Sequence, residues 1–69
     1  MENNKKSLRI KKEVLKWIEK AKVVTTAEIA SSLGISWNTA EKYLLELALD
    51  GKLERLKKAG VNIWLKRGK

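Results

Sequence analysis

A chain of 69 residues holds one domain at most, and at this size folding buries only about 60% of the surface that the unfolded chain exposes. It contains no cysteine and no histidine, which excludes a disulfide framework and a Cys/His zinc site, and no glycine-rich phosphate loop or cluster of acids at metal-ligand spacing favours an enzyme. The formal charge of +8 is segregated into +4 over residues 1–12, −2 over 13–51 and +6 over 52–69; a near-neutral body with two basic ends is the pattern expected of a protein laid along a polyanion.

No apolar run approaches the roughly 20 residues needed to cross a bilayer, and MENNKKSLRIKK lacks the apolar stretch of a secretory signal. The expectation is a soluble cytoplasmic protein with no membrane, cofactor or small-molecule substrate.

The polar opening, residues 1–6, reads as a flexible basic arm. Ile10, Val14, Trp17, Ile18 and Ala21 then recur at three- and four-residue spacing. This predicts an amphipathic helix over about 7–20, capped by Ser7, with Trp17 in the core. Lys22-Val-Val-Thr25 is a β-branched connector or a minimal strand. Thr25 or Thr26 caps a second helix, Ala27 to Leu33, with Glu28 favourable in its first turn. Gly34 ends it. Ile35 points inward, and Ser36 caps a third helix whose inner face is Ala40, Tyr43, Leu44 and Leu47. Asp50-Gly51 stops that helix. The remaining KLERLKKAGVNIWLKRGK reads as two strands joined by a hairpin loop at Ala59-Gly60. Trp64 is expected in the core, paired across the hairpin with Leu56, and residues 67–69 form a basic tail.

Between Thr26 and Leu45, Ile29, Leu33, Ile35 and Tyr43 fall inward, Ala30 and Ala40 are small where two helices cross, and Gly34 occupies the turn. A steep crossing through a short turn leaves no room for bulk at the contact. The segment TTAEIASSLGISWNTAEKYLLEL followed by DGKLERLKKAGVNIWLKR resembles a winged helix-turn-helix domain over about residues 8–66. In layout it is similar to small transcription regulators of archaea, their viruses and plasmids, and to the DNA-binding parts of many bacterial repressors. The resemblance implies an α+β fold with three helices and a C-terminal two-stranded hairpin wing, the domain spanning 7–66. It implies a regulator of transcription in the cytoplasm, or in the host cytoplasm if viral, with double-stranded DNA as partner. A recognition helix, Ser36 to Leu49, would enter the major groove, and the wing, Lys52 to Lys66, would reach the backbone or minor groove. Two alternatives stand beside this: an architectural or replication-associated DNA binder of low selectivity, and a winged helix used for protein contacts.

On the third helix, Asn38, Glu41, Lys42 and Leu45 occupy the outward arc and are the candidate base readers, against a plain solvated face. Ser36 and Thr39 suit phosphate contact or capping, capping being favoured for Ser36. Attraction would come from Lys5, Lys6, Arg9, Lys11 and Lys12 at one end and from Lys52, Arg55, Lys57, Lys58, Lys66 and Arg67 at the other, although lysines at 52 and 66 can also protect an edge strand. Trp37 lies on the flank of the third helix. Three readings are open for it: DNA contact, an edge-of-core residue folded over the turn near Leu33, or a partner interface. Leu8, Leu15, Leu45 and Leu49 fall outside the single inner stripes and make a homodimer on a palindromic site a candidate assembly.

Overall fold

The computed structural model describes residues 4–67, with side chains from Leu8 onward. Residues 1–3, the side chains of Lys5 and Lys6, and the tail beyond Arg67 lie outside the described residues. Helix α1 spans Asn4–Ala21, strand β1 Val23–Thr25, helix α2 Thr26–Leu33, helix α3 Trp37–Leu49, strand β2 Leu53–Lys58 and strand β3 Val61–Lys66.

Helix α1 buries Val14 and Ile18, one turn apart, with Ile10 and Leu15 packed partly against the same core. It starts three residues before the expected Ser7, because no glycine or proline interrupts Asn4–Ser7; Ser7 lies inside the helix and does not cap it. Leu15 also departs from expectation, since it joins the core edge. So does Trp17, which is 41% exposed. Val14 and Ile18 set the centre of the buried face, and 100° per residue puts Trp17 on its flank, beside Val23, Ile29 and Ser32.

The connector after α1 is a true strand, so the expected two-stranded hairpin becomes a three-stranded antiparallel sheet in the order β1-β3-β2. The two-residue loop Ala59-Gly60 pairs Lys58 with Val61, and that register sets Trp64 opposite Arg55 on one side and Val24 on the other. Leu56 therefore pairs with Ile63, not with Trp64, because side chains along a strand alternate between faces. One sheet face carries Leu53, Trp64 and Val24 into a core completed by Val14, Ile18, Ile29, Ala40, Leu44 and Leu47. The other face, with Val23, Leu56 and Val61 exposed and Ile63 and Leu65 half-buried, faces away from that core.

All four predicted inner residues of α3, Ala40, Tyr43, Leu44 and Leu47, are buried. Gly34 adopts the left-handed conformation that turns the chain from α2 into α3. The winged helix-turn-helix layout is thus present, with β1 tying the start of α2 to the wing.

Ala59 has φ 52 and Gly60 φ 77, the positive pair that a tight hairpin turn of the type I′ class demands, and at Ala59 an L side chain with Cβ pays for it in strain. Asn tolerates that conformation. Ala59→Asn is expected to stabilise the protein by about 1 kcal/mol, roughly 4–8 °C in a thermal melt. An unchanged or lowered midpoint would contradict the turn assignment.

Candidate nucleic-acid interface

The N-terminal ends of α2 and α3 are each fixed by a capping side chain. The Thr25 hydroxyl accepts from the Glu28 N–H at 3.1 Å, and the Glu28 carboxylate accepts from the Thr25 N–H at 2.9 Å, a reciprocal capping box. Ser36 caps α3 by accepting from the Thr39 N–H at 3.1 Å, and its hydroxyl donates to the Thr39 hydroxyl at 2.8 Å. Both hydroxyls are therefore engaged in the cap, as favoured for Ser36.

The capping box starts α2 at Thr26, which turns inward and is 3% exposed. Around it runs a chain of hydrogen bonds between three elements. The Trp64 indole N–H donates to the Thr26 hydroxyl at 2.9 Å, the hydroxyl donates to Glu41 Oε1 at 2.8 Å, and the Asn62 side-chain amide donates to Glu41 Oε2 at 3.1 Å. Glu41 is thus not on the outward arc. It lies about 40° from Trp37 around the helix, on the flank facing the wing, and both carboxylate oxygens accept bonds from within the protein.

The outward stripe of α3 consists of Asn38, Lys42, Leu45 and Leu49, all exposed and, at 100° per residue, diametrically opposite the buried face. Lys42 has its ammonium 5.7 Å from the centre of the Tyr43 ring. Leu49 is 87% exposed. Trp37 is half exposed and lines, with Thr25, Thr26, Ala27, Lys57, Gly60, Val61 and Asn62, a cleft of about 310 Å³ between the start of α3 and the wing. Its neighbours in that cleft belong to the α2 N-terminus and the wing.

The cations divide. Arg55, Lys57, Lys58 and Arg67 are exposed, and among the described residues no ion pair engages them. Lys66 instead donates to Glu19 of α1 at 3.0 Å. That hydrogen bond, and then the ammonium charge, hold the Glu19 carboxyl below the usual carboxylate range. The sign follows: whatever the exposed pair contributes is present above the ordinary carboxylate pKa and lost as pH falls through the lowered one. Lys11 is held similarly, 3.1 Å from Glu46 and 4.0 Å from Asp50, closing α1 onto the C-terminal half of α3. Arg9 and Lys12 are exposed.

Sequence reasoning missed Thr26 as an internal partner and missed Asn62 altogether. The one signal was a polar residue in β3 two positions from Trp64, hence on its face. Among the described residues no group of three His, Cys, Asp or Glu side chains could hold a metal ion, and no helix is long and apolar enough to cross a membrane.

The hydrogen-bond chain is testable through Thr26→Val, which keeps the shape and removes the hydroxyl. It leaves a buried indole N–H without an acceptor and Glu41 without one donor, and should cost about 1–3 kcal/mol in a urea titration. A loss below a few tenths would mean that the buried bonds do not hold the fold.

A family model described as FaeA-like protein matches residues 10–64, from Ile10 in α1 to Trp64. No curated protein and no solved structure is significantly similar to the chain. The match takes in the helix-turn-helix and nearly all of the wing, and it suggests a DNA-binding regulator of winged-helix type. The chain belongs to the FaeA-like protein family, a family of winged-helix-like regulators.

Proposed function

We propose that the protein is a sequence-specific regulator of transcription that binds double-stranded DNA, with α3 in the major groove and the wing on the adjoining backbone or minor groove. The observation that carries this reading is the shared cleft: Trp37 at the start of α3 and Lys57 of the wing line the same depression, so the N-terminal end of α3 and the basic wing open onto one surface. Asn38 reads an adenine edge or a related acceptor-donor pair, and Lys42 reaches guanine or phosphate. Lys57 and Lys58, which have no carboxylate partner among the described residues, supply most of the salt-dependent attraction, while Trp37 packs on the sugar-phosphate chain at the mouth of the cleft.

Regulation would follow from occupancy alone, by blocking or recruiting the transcription machinery. Leu45 and Leu49 extend the outward stripe beyond the polar readers. There they contact thymine methyl groups or a second copy on a palindromic site.

A protein-contact role is the second reading, and one observation favours it. The outer sheet face presents Val23, Leu56 and Val61 to solvent beside Ile63 and Leu65, an apolar surface that DNA has no use for.

Selection of bound duplexes from a random-sequence pool at roughly physiological salt tests the proposal. An enriched motif supports it, a palindrome indicating a dimer and a single half-site a monomer, whereas retention without enrichment indicates the architectural role and no retention removes DNA binding. On an enriched site, Lys57→Ala should weaken binding to all sequences alike and reduce the salt slope by about 1, while Lys66→Ala, already committed to Glu19, should leave both near wild type. Asn38→Ala should cost about 1–3 kcal/mol on the preferred site and relax discrimination at one base pair. Equal losses on every sequence would remove Asn38 from base reading.

A further inference from the structure

We propose that Glu41 acts as a positioning residue for DNA recognition: it locks the wing to the recognition helix, and so determines sequence specificity without touching a base. The proposal rests on the DNA-binding reading above.

The wing needs such a lock. Its base is anchored by Leu53 and Trp64, both buried, but from Lys57 through Val61 the side chains are exposed and nothing of the core lies beneath them. Val61 stands three residues beyond Trp64, roughly 10 Å along the strand, so a swing of about 15° at the anchor moves the tip by roughly 2–3 Å. A two-stranded hairpin has little stiffness of its own. The bond from Asn62 to Glu41 falls within this unsupported part, one register step from the pair that closes the turn. Glu41 is in turn held on its other oxygen by Thr26, which is bonded to Trp64, so tip, wing base and recognition helix close into one loop of contacts.

The chemistry of the lock is specific. Its carboxylate sits beside a surface meant for phosphates, where a negative charge opposes binding. Asn62 meanwhile has its Oδ1 buried without a partner. A Gln at position 41 could accept from Thr26 and, once the Asn62 amide turns over, donate to that unused oxygen. Glu41→Gln would therefore keep the lock and lose the charge, whereas Glu41→Ala loses both. Asn62→Ala breaks the lock from the wing side and also removes the orphaned acceptor, so it should fold well.

The test combines two measurements. Hydrogen exchange at the Lys57–Val61 amides, without DNA, reads the lock itself. Ratios of specific to nonspecific affinity, taken on a site selected by the wild-type protein, read its consequence. The expected result is faster tip exchange and an about tenfold lower ratio in Glu41→Ala and Asn62→Ala, with discrimination weakened at several base pairs, as befits the loss of a bond to a charged group. Glu41→Ala should bind nonspecific DNA no more weakly than wild type, and Glu41→Gln should retain both protection and ratio. Unchanged tip exchange in Glu41→Ala would overturn the lock while leaving the DNA reading intact. A loss confined to one base pair would make Glu41 a base reader and overturn the proposal. A wild-type protein that selects no sequence would overturn the regulator reading and the specificity claim together, even with the lock intact.

Discussion

The structure depends on a tryptophan that has no contact with water. Trp64 is fully buried in a chain of 69 residues, and its indole N–H must find an acceptor or cost the fold a substantial part of its stability. The acceptor is Thr26, placed there by the capping box one residue earlier. A hydroxyl that accepts has its own proton to give, and it gives it to Glu41. Glu41 has a second oxygen, and Asn62 fills it. One buried donor thus fixes the start of α2, the flank of α3 and the middle of β3 relative to one another. A local obligation at Trp64 becomes the geometry of the whole side proposed to face DNA.

The placement of charge follows the same logic. Glu19 meets Lys66, Glu46 and Asp50 meet Lys11, Glu28 closes the α2 cap, and Glu41 turns inward. Lys11 and Lys66 are held by those acids, and among the described residues no ion pair holds the cations of the wing tip. Lys57 and Lys58 are left facing solvent beside an outward stripe of α3 without a carboxylate. Net charge alone would attract a polyanion from any side; this partition gives the attraction a direction.

Much of this was legible in the sequence, for identifiable reasons. The three helices were marked by 3.6-residue periodicity, α2 and α3 also by their capping residues Thr25 and Ser36, and the α3 inner face by four apolar residues that all proved buried. The hairpin followed from Ala-Gly between two short runs of apolar residues, Leu53 and Leu56 before it and Val61, Ile63, Trp64 and Leu65 after it. What escaped notice depended on partners distant in sequence. Leu15 and Trp17 lie on opposite flanks of the Val14–Ile18 stripe, and only the packing of neighbouring elements decided which was covered. The Trp64 partner required the register, which a two-residue loop sets and composition does not. Glu41 read as an outward acid because nothing within its own helix reveals Thr26, 15 residues earlier, or Asn62, 21 residues later.

Helix and wing are proposed to present one rigid, directed surface to DNA. Amide and side-chain chemical-shift mapping during titration with duplex DNA tests that claim most directly. The expected result is shifts at Trp37, Asn38, Lys42 and the Lys57–Val61 tip in one concerted transition, with Val23, Leu56 and Ile63 unmoved. Shifts confined to the outer sheet face, or separate transitions for helix and wing, would contradict it.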